Sequence, residues 1–105
     1  MYKLMAFMSA KPGMSDADFR DYYERIHVAL INRLLPPMRG YRRNFVNRSD
    51  PVDRNRDMID FDVITELEFD DYESFAIWND AFNDPVRLEQ ILDDEDKFFD
   101  QPRCR

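Results

Sequence analysis

The residue best suited to proton chemistry is His27, the only histidine in the chain. Imidazole has an unperturbed pKa closest to neutral pH, so a positioned histidine commonly serves as a general acid or base. His27 lies within apolar residues spaced three and four apart, which places it on the apolar side of a predicted helix. Two interpretations follow: His27 is either a passive packing residue in the core or a proton-transfer group at a pocket.

A carboxylate would hold the tautomer of such an imidazole, and two candidates lie in a predicted strand over residues 61–69. Asp62 and Glu66 share one face of it with Ile64 and Glu68, because successive side chains of a strand point to opposite sides. Carboxylates are rarely buried without a partner, so Glu66 in a lumen would indicate function. In the alternative interpretation the two faces of the strand are exchanged, so that these side chains face water.

Proton transfer next to a carbonyl places negative charge on its oxygen, and hydrogen-bond donors stabilise that charge. A second predicted strand, over residues 41–46, has two such donors on one face. Arg42 and Asn44 could bind the oxygen of a carbonyl, enolate or carboxylate if that face lines a lumen. An ion pair of Arg42 with Glu66 or Glu68 at the sheet edge explains the arginine equally well.

The remaining candidates for contacting a substrate are aromatic. Tyr22 and Tyr23 are adjacent on the first helix, so one is expected in the core while the other offers its phenol to the pocket. Trp78 is expected to pack between the second helix and the sheet. Nucleotide-binding glycine motifs, GxSxG and HExxH are missing from the sequence, so we expect no cofactor and no metal. Metal binding by carboxylates alone is one interpretation of the acidic run 93–96, and a capped, solvated helix end explains it equally well.

Hydropathy patterns predict the elements that must position these residues. The expected elements, in order, are a strand over residues 2–9 buried on both faces, a helix from an N-cap at Ser15 to Pro36, strands 41–46 and 61–69, a helix capped by Asp70, a short helix after Asp84, and a possible last strand at 103–105. The segment 47–60 is expected to be a long loop that is either a lid or disordered.

This order, β-α-β-β-α with a possible final β, is typical of a ferredoxin-like α+β domain, here a single one over residues 1–105. Its four-stranded antiparallel sheet would have helices on one face and a bare, partly apolar face that needs a partner. Two such sheets packed face to face would form a homodimeric α/β barrel with a lumen.

Charge and composition narrow the possible partners. The net charge of −7 and the pI near 4.6 argue against nucleic-acid binding, which calls for a basic surface. Neither a signal peptide nor a membrane span is predicted, so we expect a cytoplasmic protein without a membrane partner. The single cysteine, Cys104, has no intrachain partner for a disulfide.

Two groups of residues resemble the EthD-domain family, a branch of the dimeric α/β barrel superfamily. The first is Lys11-Pro-Gly-Met-Ser15 followed by Phe19, Tyr22-Tyr23, His27 and Leu30; the second is Glu66-Leu-Glu-Phe-Asp-Asp71, the helix of Phe75 and Asp93-Asp-Glu-x-x-Phe-Phe-Asp100. Many members have His-x-Pro-Leu where this chain has His27-Val-Ala-Leu30. The missing proline predicts a helix that runs unbroken to Leu35.

The resemblance implies a small homodimer with a pocket in each protomer, and an enzymatic role. The expected function is a cofactor-independent lyase or isomerase, of the dehydratase or cyclase type, acting on a small cyclic, aromatic or polyketide-derived molecule. His27 would be its general acid or base, with Asp62 or Glu66 orienting it. The alternatives are a non-catalytic protein that binds a small hydrophobic ligand and a cofactor-free oxygenase. A further alternative, an arginine-rich loop that contacts a polyanion or protein, involves Arg42, Arg43 and Arg48.

Overall fold

The computed structural model describes residues 1–47 and 60–104. Its centre is an antiparallel sheet of three strands in the spatial order β1–β3–β2, with β1 at Tyr2–Met8, β2 at Gly40–Phe45 and β3 at Val63–Phe69. The middle strand is β3, in which Thr65 lies opposite Ala6 of β1 and Arg43 of β2. The predicted mixture of helices with an antiparallel sheet is confirmed.

A continuous helical run follows β1 and carries His27. Its first part, α1 (Asp16–Tyr22), begins at the predicted N-cap, where Ser15 Oγ accepts a hydrogen bond from the backbone N–H of Asp18 at 3.1 Å. A π-helical turn, Tyr23–His27, then leads into α2 (Val28–Leu34). The run is therefore unbroken after His27, as the missing proline predicts.

Two further helices follow β3, and each begins at an aspartate. Asp71 is the N-cap of α3 (Tyr72–Phe82) and accepts from Ser74 N–H at 2.8 Å. The prediction of Asp70 as this cap was wrong by one residue, and Asp70 pairs with Arg39 at 3.4 Å instead. The next helix, α4 (Pro85–Glu95), begins at Asp84 as predicted. It is longer than the short helix expected and includes most of the acidic run.

A fourth strand is not found among the described residues. Residues 101–103 form a 3₁₀ turn, and Arg105 lies outside the described range. The C-terminal segment instead meets the end of β1 at a single antiparallel bridge between Ala10 and Phe99. Nearly all of the predicted loop 47–60 also lies outside the described residues, and so does Arg48.

The helices within residues 1–47 and 60–104 all lie on one face of the sheet. Val63, Thr65 and Phe69 of β3 are buried on that face, which confirms the predicted parity of this strand. Lys3 and Met5 are exposed on the other face, so β1 is not buried on both faces as its composition suggests.

Two clusters of buried side chains form the core between sheet and helices. One contains Phe19, Tyr23, Val63, Phe98 and Phe99. The other contains Ile31, Leu35, Phe69, Trp78 and Ile91. None of the helices within residues 1–47 and 60–104 is both long and apolar enough to cross a membrane.

Candidate active site

A cavity of about 230 Å³ lies between the sheet and the helices, lined by members of both core clusters. Its wall is mainly apolar and aromatic, with contributions from Leu4, Leu67, Phe75, Phe82 and Phe99. A cavity of 150 Å³ lined by apolar side chains is known to hold benzene, so this cavity has room for a somewhat larger molecule, of one or two rings. Small-molecule sites commonly combine an apolar wall of this kind with a few polar groups.

His27 lines this cavity and is paired with a buried carboxylate. Its Nδ1 lies 2.8 Å from Asp94 Oδ2, and the two residues are 3% and 7% exposed. The hydroxyl of Tyr22 donates to the other oxygen, Asp94 Oδ1, at 2.5 Å. Burial, with the hydrogen bond to Asp94, raises the pKa of Tyr22 to about 12, so its hydroxyl remains protonated.

This pairing assigns the tautomer of His27. An ionised carboxylate only accepts hydrogen bonds, so Nδ1 carries the proton and Nε2 keeps its lone pair. Burial lowers the pKa of His27, an effect that the hydrogen bond to Asp94 only partly offsets. The imidazole is therefore neutral at neutral pH. Its environment is aromatic, with ring centroids of Phe98 and Tyr23 at 4.9 and 5.5 Å.

The backbone around His27 is unusual as well. His27 ends the π-helical turn that begins at Tyr23, and the N–H of Val28 donates to Tyr23 O, five residues earlier. Such turns are rare in proteins and often occur at functional sites. This turn places both Tyr23 and His27 on the wall of the cavity.

A second titratable group at the cavity is Glu95, near the end of α4. Burial raises its pKa from 4.5 to about 7, and the neighbouring Asp96 and Asp94 add to the increase. Gln101 Nε2 lies 3.4 Å from Glu95 Oε2, and this hydrogen bond partly offsets the increase in the pKa. Near neutral pH this carboxyl is therefore protonated in a large fraction of molecules and has a proton to donate.

Hydroxyl groups contribute to the polar part of the wall, as does Asn79. Tyr23 Oη and Thr65 Oγ1 lie 2.7 Å apart, and both side chains are buried. Burial raises the pKa of Tyr23 to about 12 and raises that of Tyr41 further, so both phenols remain neutral. The site thus combines an oriented neutral imidazole, a carboxyl with a raised pKa and neutral hydroxyls.

The structure does not bring together His27 and the carboxylates predicted to orient it. Glu66 lies on the open face of the sheet, where its carboxylate is 3.9 Å from both Lys3 Nζ and Arg42 Nη1. Asp62 Oδ2 accepts from the backbone N–H of Ala10 at 2.7 Å. The predicted pairing was therefore wrong. For Glu66 the physical reason is parity: the helix packs on the face of Val63 and Thr65, and even-numbered residues of β3 point away from it. Asp62 precedes β3, and its carboxylate binds the backbone just beyond β1 instead.

Arg42 and Asn44 also lie on the open face, away from the cavity. Arg42 pairs with Glu68 and, more distantly, with Glu66, which is the alternative that the sequence left open. Asn44 Nδ2 donates to the carbonyl oxygen of Ile64 at 3.1 Å.

The aromatic candidates do lie at or beside the site. Tyr23 and Trp78 line the cavity, and Tyr22 contacts Asp94. Among the described residues, no group of three or more His, Cys, Asp or Glu side chains is placed to hold a metal ion.

Asp94 and Glu95 are the two carboxyl groups of the candidate site that the sequence analysis does not predict. The run 93–96 reads as a solvated helix end because four acidic residues are consecutive. The helical period nevertheless indicates which of the four are buried. Ile91 is fully buried, and the positions three and four residues further on lie on the same face of the helix. Those positions are Asp94 and Glu95, whereas Asp93 and Asp96 are exposed.

The fold and site thus define an α+β protein with a buried histidine–aspartate pair at a small aromatic cavity. Comparison with known proteins identifies its family: the EthD domain model matches residues 11–102, so the chain belongs to the EthD domain family. This confirms the resemblance inferred from the sequence motifs. The chain is also similar to a curated protein of Metarhizium robertsii, the conidial pigment biosynthesis dehydratase EthD. The two are 28% identical over 105 aligned positions, covering 89% of this chain and 70% of the relative.

Proposed function

We propose that this protein is a dehydratase that removes water from a small cyclic ketone carrying a hydroxyl group β to its carbonyl. The observation that carries the proposal is the pairing of buried His27 with Asp94 at the wall of the cavity. A neutral imidazole oriented in this way is a general base. The name of the Metarhizium relative, a dehydratase, supports this class of reaction over the oxygenase alternative.

In the proposed reaction, His27 Nε2 takes a proton from the carbon between the carbonyl and the hydroxyl-bearing carbon. The electron pair of that C–H bond passes into the carbonyl group as an enolate. When the enolate collapses, the carbonyl is restored, the new carbon–carbon double bond forms and the C–O bond breaks. Glu95 supplies its proton to the departing hydroxyl, which leaves as water. Transfer of the proton from the imidazolium to the Glu95 carboxylate then restores both groups. The chain's own side chains supply the base and the acid, so this reaction requires no cofactor.

The pKa values of the two groups support these roles. His27 has a pKa below its usual 6.5, so it is an unprotonated base at neutral pH. Glu95 has a pKa raised to about 7, so it still carries a proton there. The reaction requires unprotonated His27 together with protonated Glu95. Activity is therefore lost at low pH, where His27 becomes protonated, and at high pH, where Glu95 ionises, which gives a bell-shaped pH dependence.

The proposal is tested with 3-hydroxy-1-tetralone, a two-ring β-hydroxy ketone that yields 1-naphthol on loss of water. Product is measured by its absorbance in the wild type and in the His27→Asn variant. An asparagine amide can still donate to Asp94 but provides no second ring nitrogen, so we expect turnover to fall by about 10²–10⁴-fold. The control is Asp93→Asn, an exposed position on α4 next to Asp94, which should retain wild-type turnover.

Three outcomes contradict the proposal. An unchanged rate in a folded His27→Asn protein would remove His27 from the chemistry. Tight binding of hydroxytetralones by the wild type without any turnover would favour the alternative of a non-catalytic ligand-binding protein. Product formation that requires dissolved oxygen would instead favour an oxygenase.

We further propose that the open face of the sheet packs against a second copy of the chain to form the homodimeric barrel that the family resemblance implies. Met5 is 52% exposed on this face, and Phe7 stacks on Phe61 with ring centroids 5.2 Å apart. Beside them, Lys3 and Arg42 neutralise Glu68. A partly apolar face with internally paired charges is suited to burial. The barrel and its fourth strands are part of this proposal.

A further inference from the structure

The indole N–H of Trp78 is a buried donor without an acceptor. Trp78 is 6% exposed, and its Nε1 has no hydrogen-bond partner within the described part of the chain. Most buried polar groups in proteins are hydrogen-bonded, and an exception requires an explanation because an unpaired donor destabilises the folded state. The position of Trp78 supplies one, since its side chain lines the cavity of His27.

The packing around Trp78 keeps its indole in place. Phe82 stacks on it at 5.3 Å between ring centroids with the planes 22° apart, and Phe69 packs at 5.4 Å. Both neighbours are hydrocarbon side chains that offer no oxygen to the N–H. The indole ring, which lines the cavity, is therefore fixed by aromatic contacts, as is typical of a preorganised binding group.

The chemistry of the donor restricts what it recognises. An indole N–H only donates, so its ligand must present an acceptor, such as the oxygen of a ketone, an enolate or a phenol. In a water-excluding apolar site such a donor interacts more strongly with an oxygen that gains negative charge. A hydrocarbon of the same size would fill the cavity and leave the N–H unpaired.

We propose that Trp78 Nε1–H is the recognition group for the substrate's carbonyl oxygen, and that it stabilises the enolate formed when His27 removes the neighbouring proton. The cavity would then select cyclic ketones and phenols over hydrocarbons of equal size. The part of this inference that concerns the enolate rests on the proposed dehydratase function; the selection of oxygen-bearing ligands does not.

The experiment compares 1-tetralone with tetralin, which has the same two rings without the carbonyl. Trp78 is the only tryptophan, so a ¹⁵N-labelled protein has one indole N–H resonance and its assignment is unambiguous. We expect 1-tetralone to move this proton resonance downfield, as hydrogen bonding does, and tetralin to leave it without a downfield shift. In Trp78→Phe, the affinity for 1-tetralone should fall about tenfold while that for tetralin changes little.

A matched control separates hydrogen bonding from packing. Phe82→Leu alters an apolar wall residue next to Trp78 and should weaken the two probes by the same factor. The inference is overturned if 1-tetralone binds without a downfield shift, if Trp78→Phe weakens both probes equally, or if neither probe binds. The resonance measurement uses the wild type and remains decisive even if Trp78→Phe fails to fold. A wild type that binds 1-tetralone no more tightly than tetralin, yet still dehydrates 3-hydroxy-1-tetralone, would reject this inference and leave the proposed function standing.

Discussion

Replacement of Glu95 by glutamine should change how the stability of the protein depends on pH. A carboxyl whose pKa is raised on folding binds protons more tightly in the folded state than in the unfolded state. Its contribution to stability is therefore lost as pH rises from the unfolded pKa of 4.5 through the folded pKa of about 7. Glutamine resembles the protonated carboxyl but cannot ionise, so Glu95→Gln should remove this loss.

The magnitude follows from the two pKa values. At about 1.4 kcal/mol for each tenfold difference in proton affinity, the variant should be more stable than the wild type by about 1 kcal/mol at pH 5, about 2 kcal/mol at pH 6 and about 3 kcal/mol at pH 8. His27 contributes the opposite dependence, because its lowered pKa destabilises the fold as pH falls below 6.5. That contribution is common to both proteins and cancels in the difference.

The assay is urea unfolding at pH 5, 6, 7 and 8, followed by circular dichroism and by the fluorescence of buried Trp78. Protein concentration is held constant, because the stability of a dimer depends on protein concentration. The control is Asp93→Asn, on the same helix but exposed, which should differ from the wild type by less than about 0.5 kcal/mol at every pH. A stability difference between Glu95→Gln and the wild type that does not grow with pH would refute the raised pKa of the partly buried Glu95.

Two other predictions concern the carboxylate of the site and the open face of the sheet. Asp94→Asn should lower turnover of 3-hydroxy-1-tetralone by about 10²-fold or more, because the neutral amide no longer fixes the tautomer of His27 or stabilises the imidazolium; a wild-type rate would show that Asp94 has no part in the reaction. Met5→Asp should convert the proposed dimer into a monomer in light scattering coupled to gel filtration, whereas Ile77→Asp, at an exposed position on α3, should not; a monomeric wild type would contradict the proposed barrel.

Much of the fold could be predicted from the sequence because the spacing of apolar residues along the chain indicates each helix and strand. The alternation of Val63, Thr65 and Phe69 assigned the buried face of β3 correctly, and the spacing around Phe19 located the first helix. The C-terminal strand could not be decided in this way. Residues 101–103 are too few to show a period, and their 3₁₀ turn depends on tertiary contacts such as the bridge at Phe99.

The site was only partly accessible from the sequence. His27 was placed on the apolar side of its helix, and it is buried there. The sequence predicts its partner on or next to the third strand, but a helix that covers one sheet face cannot reach Glu66 on the opposite face. Asp94 was missed because composition does not distinguish a solvated carboxylate from a buried one. That difference arises from packing, here of α4 against the helix of His27.

The central claim is that His27 is a neutral base whose Nδ1–H is held by Asp94, and NMR of the imidazole nitrogens tests it most directly. The chain has one histidine, so its ¹⁵N resonances are unambiguous. We predict that the wild type at pH 7 shows a protonated Nδ1 and an unprotonated Nε2, and that the pKa in a pH titration lies below 6.5. A proton on Nε2 at pH 7, or a pKa above 6.5, would contradict the account.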